Sequence, residues 1–135
     1  MDFDLTEEQS LLQDSVTKLL AATYSFEQRK SMRAAPKGYN GEMWRQYADL
    51  GLLALPFAEA DGGLGGGPVE VMLLMEAFGR SLVLEPYFAT VVLAGGCLRH
   101  GANESQRSRW LPALIAGDTT YALAHGEREA RFDLS

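Results

Sequence analysis

The 135-residue chain has one cysteine, Cys97, two histidines and five prolines. A single thiol forms no internal disulfide, so a reducing, cytoplasmic setting is expected. Positive charge is also scarce. Twelve Lys and Arg face 18 Asp and Glu, a formal charge of -6. An acidic surface repels phosphates, which argues against nucleic acid or an anionic membrane as a general partner. The start, Met1-Asp2-Phe3-Asp4, lacks the basic opening of a signal or transit peptide. The longest apolar run, Tyr87 to Leu98, is too short to span a bilayer and carries Thr90, Gly95 and Gly96.

Apolar content is ample. Hydrophobic residues are 47% and charged residues 22%, which suits one soluble globular unit rather than disorder. The pattern is helical. Thr6 with Gln9 forms a capping box, and Glu7 and Glu8 suit the positive end of the helix dipole. Leu12, Val16, Leu19 and Leu20 follow at helical spacing, so helix 1 is expected from Thr6 to about Thr23. Ser25 with Gln28 caps a charged surface helix, Phe26 to Ala34, that stops before Pro36. Asn40 opens a third helix with Met43, Tyr47 and Leu50 on one stripe, and Gly51 ends it.

A short buried connection, residues 53–57, leads to a glycine-rich loop, residues 61–68. The loop lacks the Lys-Ser/Thr of a P-loop and the spacing of a dinucleotide fingerprint, so it reads as a tight turn into a helix. Helix 4 runs from Pro68 to about Ser81, with Val71 to Met75 apolar on every face, which predicts full packing. Helix 5 opens at Glu85-Pro86 and ends at Gly101. Asn103 with Gln106 caps helix 6, whose Trp110, Leu111, Leu114 and Ile115 are expected to point inward. Pro112 is expected to kink or split it. Residues 119–125 then read as a strand by their Thr and Tyr content. The fold expected is an all-α orthogonal bundle of about six helices, with a short C-terminal strand that would begin a β domain. Residues 1–117 form the helical domain and 118–135 the start of the next.

No self-contained catalytic set is present. Cys97 and His100 are i,i+3, but two ligands make no zinc site, so they read as a core thiol and a histidine near a helix C-terminus. Only His100 and His125 offer an imidazole base, and no serine sits in a nucleophile elbow. On helix 5, bulky Tyr87, Phe88, Val91 and Val92 alternate with small Ala89, Ala94 and Gly95. Plain core packing is the simpler reading. A slot for a flexible apolar ligand is the other.

The order of these signals resembles the acyl-CoA dehydrogenase family. Leu5-Thr6-Glu7-Glu8-Gln9 resembles its opening. Trp44-x5-Leu50-Gly51-Leu52-x2-Leu55-Pro56 with Gly62-Gly63-Leu64-Gly65 resembles its second motif. Arg109-Trp110-Leu111-Pro112-x-Leu114-x2-Gly117-Asp118 resembles the helix that leads into its β domain. The resemblance implies a helical N-terminal domain, a middle β domain and a C-terminal four-helix bundle, of which this chain is the first. It implies a flavoprotein that removes hydrogens from Cα and Cβ of an acyl-CoA thioester. A carboxylate base outside this chain takes the α-proton, and FAD takes the β-hydride.

By position, the resemblance makes Glu85, Tyr87, Phe88, Ala89 and Val92 candidates to line the far end of the acyl pocket. It makes Leu123, His125 and Gly126 candidates for cofactor contact. Gly126 stands where the family has a flavin-contacting threonine, while Arg131 and Phe132 replace its Gly-Ser. Glu127, Ala130 and Asp133 match. The variant resembles the divergent branch that includes the small subunit of pimeloyl-CoA dehydrogenase. The resemblance therefore implies FAD in the full-length protein but not held by this chain. It implies partners in the form of the missing domains or a second subunit, within a homo- or hetero-oligomer. The competing class is a stand-alone helical interaction module without redox chemistry.

Overall fold

The computed structural model describes residues 4–126. Among them are six α-helices and no strand. The first three helices are α1, Glu7–Thr23, α2, Phe26–Arg33, and α3, Gly41–Asp49. After a single 3-10 turn at Glu59–Asp61 come α4, Pro68–Ser81, and a π-helical segment, Phe88–Ala94. That segment runs on into α5, Gly95–Gly101, and α6, Glu104–Ile115, comes last.

The helix starts follow local chemistry. Thr6 and Ser25 each accept a hydrogen bond from the backbone three residues on, and Gln9 and Gln28 reach back to complete the box. Asn103 and Gln106 do the same for α6. Asn40 caps α3 by accepting from the Glu42 N–H. At α4, Pro68 occupies the first turn and the Glu70 carboxylate accepts from the Gly67 N–H at 2.7 Å. The other Glu70 oxygen accepts from the Gln9 amide at 2.7 Å, which ties α1 to α4. That amide, with the backbone donors beside it, holds the Glu70 carboxyl below its ordinary pKa.

α1 packs along α4, burying Val16 and Leu20 against Leu74 and Phe78. The centre is aromatic. Tyr47 and Phe78 stack with ring centroids 5.1 Å apart, and Tyr87 meets Phe78 edge-on at 5.3 Å. Every residue from 52 to 57 is buried, as the apolar connection implied. Two glycines allow this connection to pass under the loop. A Cβ on Gly63 would lie 2.1 Å from the Phe57 carbonyl oxygen, and one on Gly66 2.7 Å from that of Leu55.

Several expectations are corrected. Residues 119–126 form no strand, because the described residues hold no second strand to pair with. Pro112 does not split α6. It lies in the last turn, where it removes one helical hydrogen bond to the exposed Ser108. Leu50 falls at the cap of α3 and is exposed. α4 is not packed all round, since Leu73 and Leu74 are buried while Val69 and Met72 face out. In α6 the core takes Leu111 and Leu114, whereas Trp110 stays partly exposed. Cys97 is exposed rather than a core thiol. The tail positions Glu127, Ala130, Arg131, Phe132 and Asp133 lie outside the described residues.

Candidate functional site

The turn from α4 into the π-helical segment splits the five candidate pocket residues into two groups. Glu85 and Tyr87 turn inward. The Glu85 carboxylate is buried and accepts from the Tyr24 hydroxyl at 2.7 Å, the Asn40 N–H at 3.1 Å and the Tyr47 hydroxyl at 3.5 Å. Tyr24 in turn accepts from the Leu84 N–H. One carboxylate thus joins the end of α1, the cap and interior of α3, and the segment before Tyr87. Tyr87 is fully buried and donates to the Leu52 carbonyl at 3.0 Å. Burial raises the pKa of Tyr24, Tyr47 and Tyr87, and the charge on Glu85 adds to the rise at the first two.

Phe88, Ala89 and Val92 remain toward solvent. Phe88 is 52% exposed, while Ala89 and Val92 are half-buried. Val92 also walls a groove of about 400 Å3 with Val71 and Met72 of α4, Phe57 and Gly96. The groove is apolar apart from Arg99 and His100 at one end. A π-helix widens the turn, and such segments recur at functional sites. Here it leaves Thr90, Val91 and Ala94 in the core and an apolar surface outside.

The cofactor candidates lie around a second apolar cleft of about 330 Å3, floored by Ala94, Leu98, Trp110 and Cys97. Tyr121, Ala122 and Leu123 form its edge. Trp110 and Tyr121 meet edge-on, 6.2 Å between centroids. His125 and Gly126 continue beyond the cleft and are exposed. Among the described residues no backbone hydrogen bond reaches residues 122–126, so their donors and acceptors face outward. Leu123 therefore joins the cleft, whereas His125 and Gly126 meet no side chain of it.

Two contributors escaped the sequence reading. Thr90 is fully buried and clamps the Tyr121 backbone, and Met72 lines the groove from α4. The hydroxyl inside an apolar run was the available signal for Thr90. Met72 carried none, because a residue in an all-apolar stretch does not show which side it faces.

These features define a helical domain with an apolar groove, an apolar cleft and, at the cleft's edge, a segment without backbone partners. A family model described as "Acyl-CoA dehydrogenase, N-terminal domain" matches residues 6–118. The chain is 32% identical over 125 residues to acyl-CoA dehydrogenase FadE27 of Mycobacterium tuberculosis, covering 92% of this chain and 33% of that protein. It is 33% identical over 132 residues to mitochondrial isovaleryl-CoA dehydrogenase of Pongo abelii, covering 96% and 31%. Among solved structures, the ChsE4-ChsE5 complex of Mycobacterium tuberculosis superposes with a TM-score of 0.85 at 29% identity, covering 96% of this chain and 36% of that one. The chain belongs to the acyl-CoA dehydrogenase family and corresponds to its N-terminal helical domain. It spans about a third of the length of these relatives.

Proposed function

We propose that this chain supplies the N-terminal helical part of a flavin-dependent acyl-CoA dehydrogenase, where it walls the acyl-chain pocket. The observation that carries the reading is the apolar outer surface of the π-helical segment. Phe88, Ala89 and Val92 offer hydrocarbon to a partner surface, while Glu85 and Tyr87 are held inward by their own hydrogen bonds. The role of Glu85 and Tyr87 in the pocket is then to set the course of the chain into Phe88. Phe88, Ala89 and Val92 contact the acyl tail and exclude water from it.

The cleft beside Leu123 fits one edge of a flavin. Its floor is apolar, and the segment that forms its edge and runs on beyond it, residues 122–126, keeps free backbone N–H and C=O groups. Leu123 lines the cleft, and His125 and Gly126, which follow it along the chain, are the other candidates to hold such a group. Gly126 has no side chain to donate a hydrogen bond, so its contact is through the backbone alone. When bound, flavin supplies the acceptor for the hydride from Cβ, as a base takes the proton from Cα. The remaining domains, or a partner subunit in an oligomer, complete both sites. A reducing cytoplasm suits the exposed Cys97 thiol.

The test is reconstitution. The 135-residue chain alone is expected to purify colourless. Joined to the β and C-terminal portions, in one chain or as two subunits, it is expected to hold flavin and to reduce an artificial electron acceptor with an acyl-CoA. A colourless, inactive assembly that is folded by circular dichroism refutes the reading.

A further inference from the structure

The Lys and Arg side chains of the described residues divide sharply. Lys18, Arg45, Arg80 and Arg107 each pair with a carboxylate. Arg29 and Arg99 donate to the carbonyls of Leu82 and Pro56, and Arg109 lies over the Trp110 ring. The remaining three are Lys30, Arg33 and Lys37, and none has an ion-pair partner among the described residues. They are exposed and fall within eight positions of one another. The chain carries a surplus of carboxylates, so unpaired cations are not forced on it. Residues 26–37 hold a net +3 while the rest of the chain holds -9.

The same region shows the two most exposed large apolar side chains of the described residues. Phe26 is 74% exposed and Leu82 is 62% exposed. Phe26 sits one turn before Arg29 on the same side of α2. The Arg29 Nε donates to the Leu82 carbonyl at 2.7 Å, which ties α2 to the C-terminal end of α4. Leu82 is also the one non-glycine residue with positive φ, 51°, among the described residues. A bulky side chain rarely adopts that conformation, and here it holds an apolar residue in water. No residue of α2 is buried. The favourable place of Lys30 and Arg33 near a helix C-terminus accounts for those two alone. It leaves Lys37, Phe26 and Leu82 unexplained.

We propose that α2, Lys37 and Leu82 form a docking surface for an acidic segment of a partner protein, with an apolar side chain of that segment seated on Phe26 and Leu82. Charge complementarity and size select this occupant. The helix is about 12 Å long, roughly one and a half Debye lengths at physiological salt. A compact acidic segment meets the +3 patch alone. A bilayer or nucleic-acid duplex covers more of a chain whose other residues sum to -9, which disfavours it. The residues of this surface line neither the groove at Val92 nor the cleft at Leu123.

The probe is a fluorescent peptide of about 12 residues in which Asp and Glu surround two leucines, titrated into the 135-residue chain. Binding is expected, with amide shifts confined to α2, Lys37 and Leu82. Combined Lys30→Glu, Arg33→Glu and Lys37→Glu should weaken it at least about tenfold, and Phe26→Ser about fivefold. Raising salt from about 50 to about 300 mM should weaken it several-fold. The milder triple change to Gln keeps the test interpretable if the Glu variant loses helix content. Unchanged affinity in the Gln and Phe26→Ser variants overturns the proposal, as does a footprint elsewhere. Tighter binding of phosphatidylglycerol vesicles than of the peptide overturns it in favour of a membrane. Self-association that the peptide displaces overturns it in favour of a second copy.

Discussion

The Thr90 hydroxyl does for Tyr121 what a neighbouring strand would do. It donates to the Tyr121 carbonyl at 3.0 Å and accepts from the Tyr121 N–H at 3.3 Å. Both backbone groups of one residue are thus satisfied by a single side chain from the π-helical segment. The Tyr121 hydroxyl adds a bond to the Trp110 carbonyl at 3.3 Å. The chain leaving α6 is anchored here, and residues 122–126 beyond the anchor are exposed.

Thr90→Val keeps the shape and removes both bonds. Leaving the Tyr121 backbone groups without partners should cost about 1–3 kcal/mol. Amide exchange should accelerate at Tyr121 in the variant. In the unaltered chain, exchange should be slow at Tyr121 and fast from Ala122 to Gly126. Protection across residues 122–126 in a dilute monomer would contradict this account.

Two adjacent glycines should respond oppositely. A Cβ on Gly95 would lie 2.7 Å from the Phe57 ring, while one on Gly96 meets nothing within 4 Å. Gly95→Ala should destabilise by about 1–3 kcal/mol through overpacking. Gly96→Ala should stabilise by about 0.5–1 kcal/mol through helix propensity. Urea unfolding of both variants separates the effects.

Core depth differs between α4 and the π-helical segment. Leu74 is fully buried, so Leu74→Ala should cost about 2–5 kcal/mol. Val92 is half-buried at the groove, so Val92→Ala should cost about 1 kcal/mol or less. Thermal melts of equal midpoint would show that both sit in one environment.

Three buried tyrosines set an alkaline limit. Tyr24, Tyr47 and Tyr87 keep their protons in the folded state above about pH 10, where unfolded tyrosine releases them. The folded state then binds more protons than the unfolded one. Their contribution is complete below about pH 10 and is lost as pH rises toward the folded values. Phenolate absorbance from these three should appear together with loss of helix, not before it.

In the full-length assembly, Ala89→Leu should reduce kcat/KM for long acyl-CoA thioesters more than for short ones, because the added side chain shortens the slot. Steady-state rates across a chain-length series decide this. Equal losses at every length would remove Ala89 from the pocket.

Local rules determined the helices. A capping box needs only four consecutive residues, so Thr6–Gln9, Ser25–Gln28 and Asn103–Gln106 announced helix starts without reference to the rest of the chain. The three family motifs were likewise legible as residues in order. Which face each apolar helix buries was not legible. A stretch such as Val71 to Met75 is greasy all round, and only its neighbours decided that Leu74 goes in and Met72 stays out. Contacts between distant residues were also out of reach. Glu85 meets Tyr24 from 61 positions away, and Thr90 meets Tyr121 from 31. Residues 119–125 had the composition of a strand, but a strand exists only with a partner. Packing supplied the Thr90 hydroxyl in its place, and residues 122–126 stayed without backbone partners.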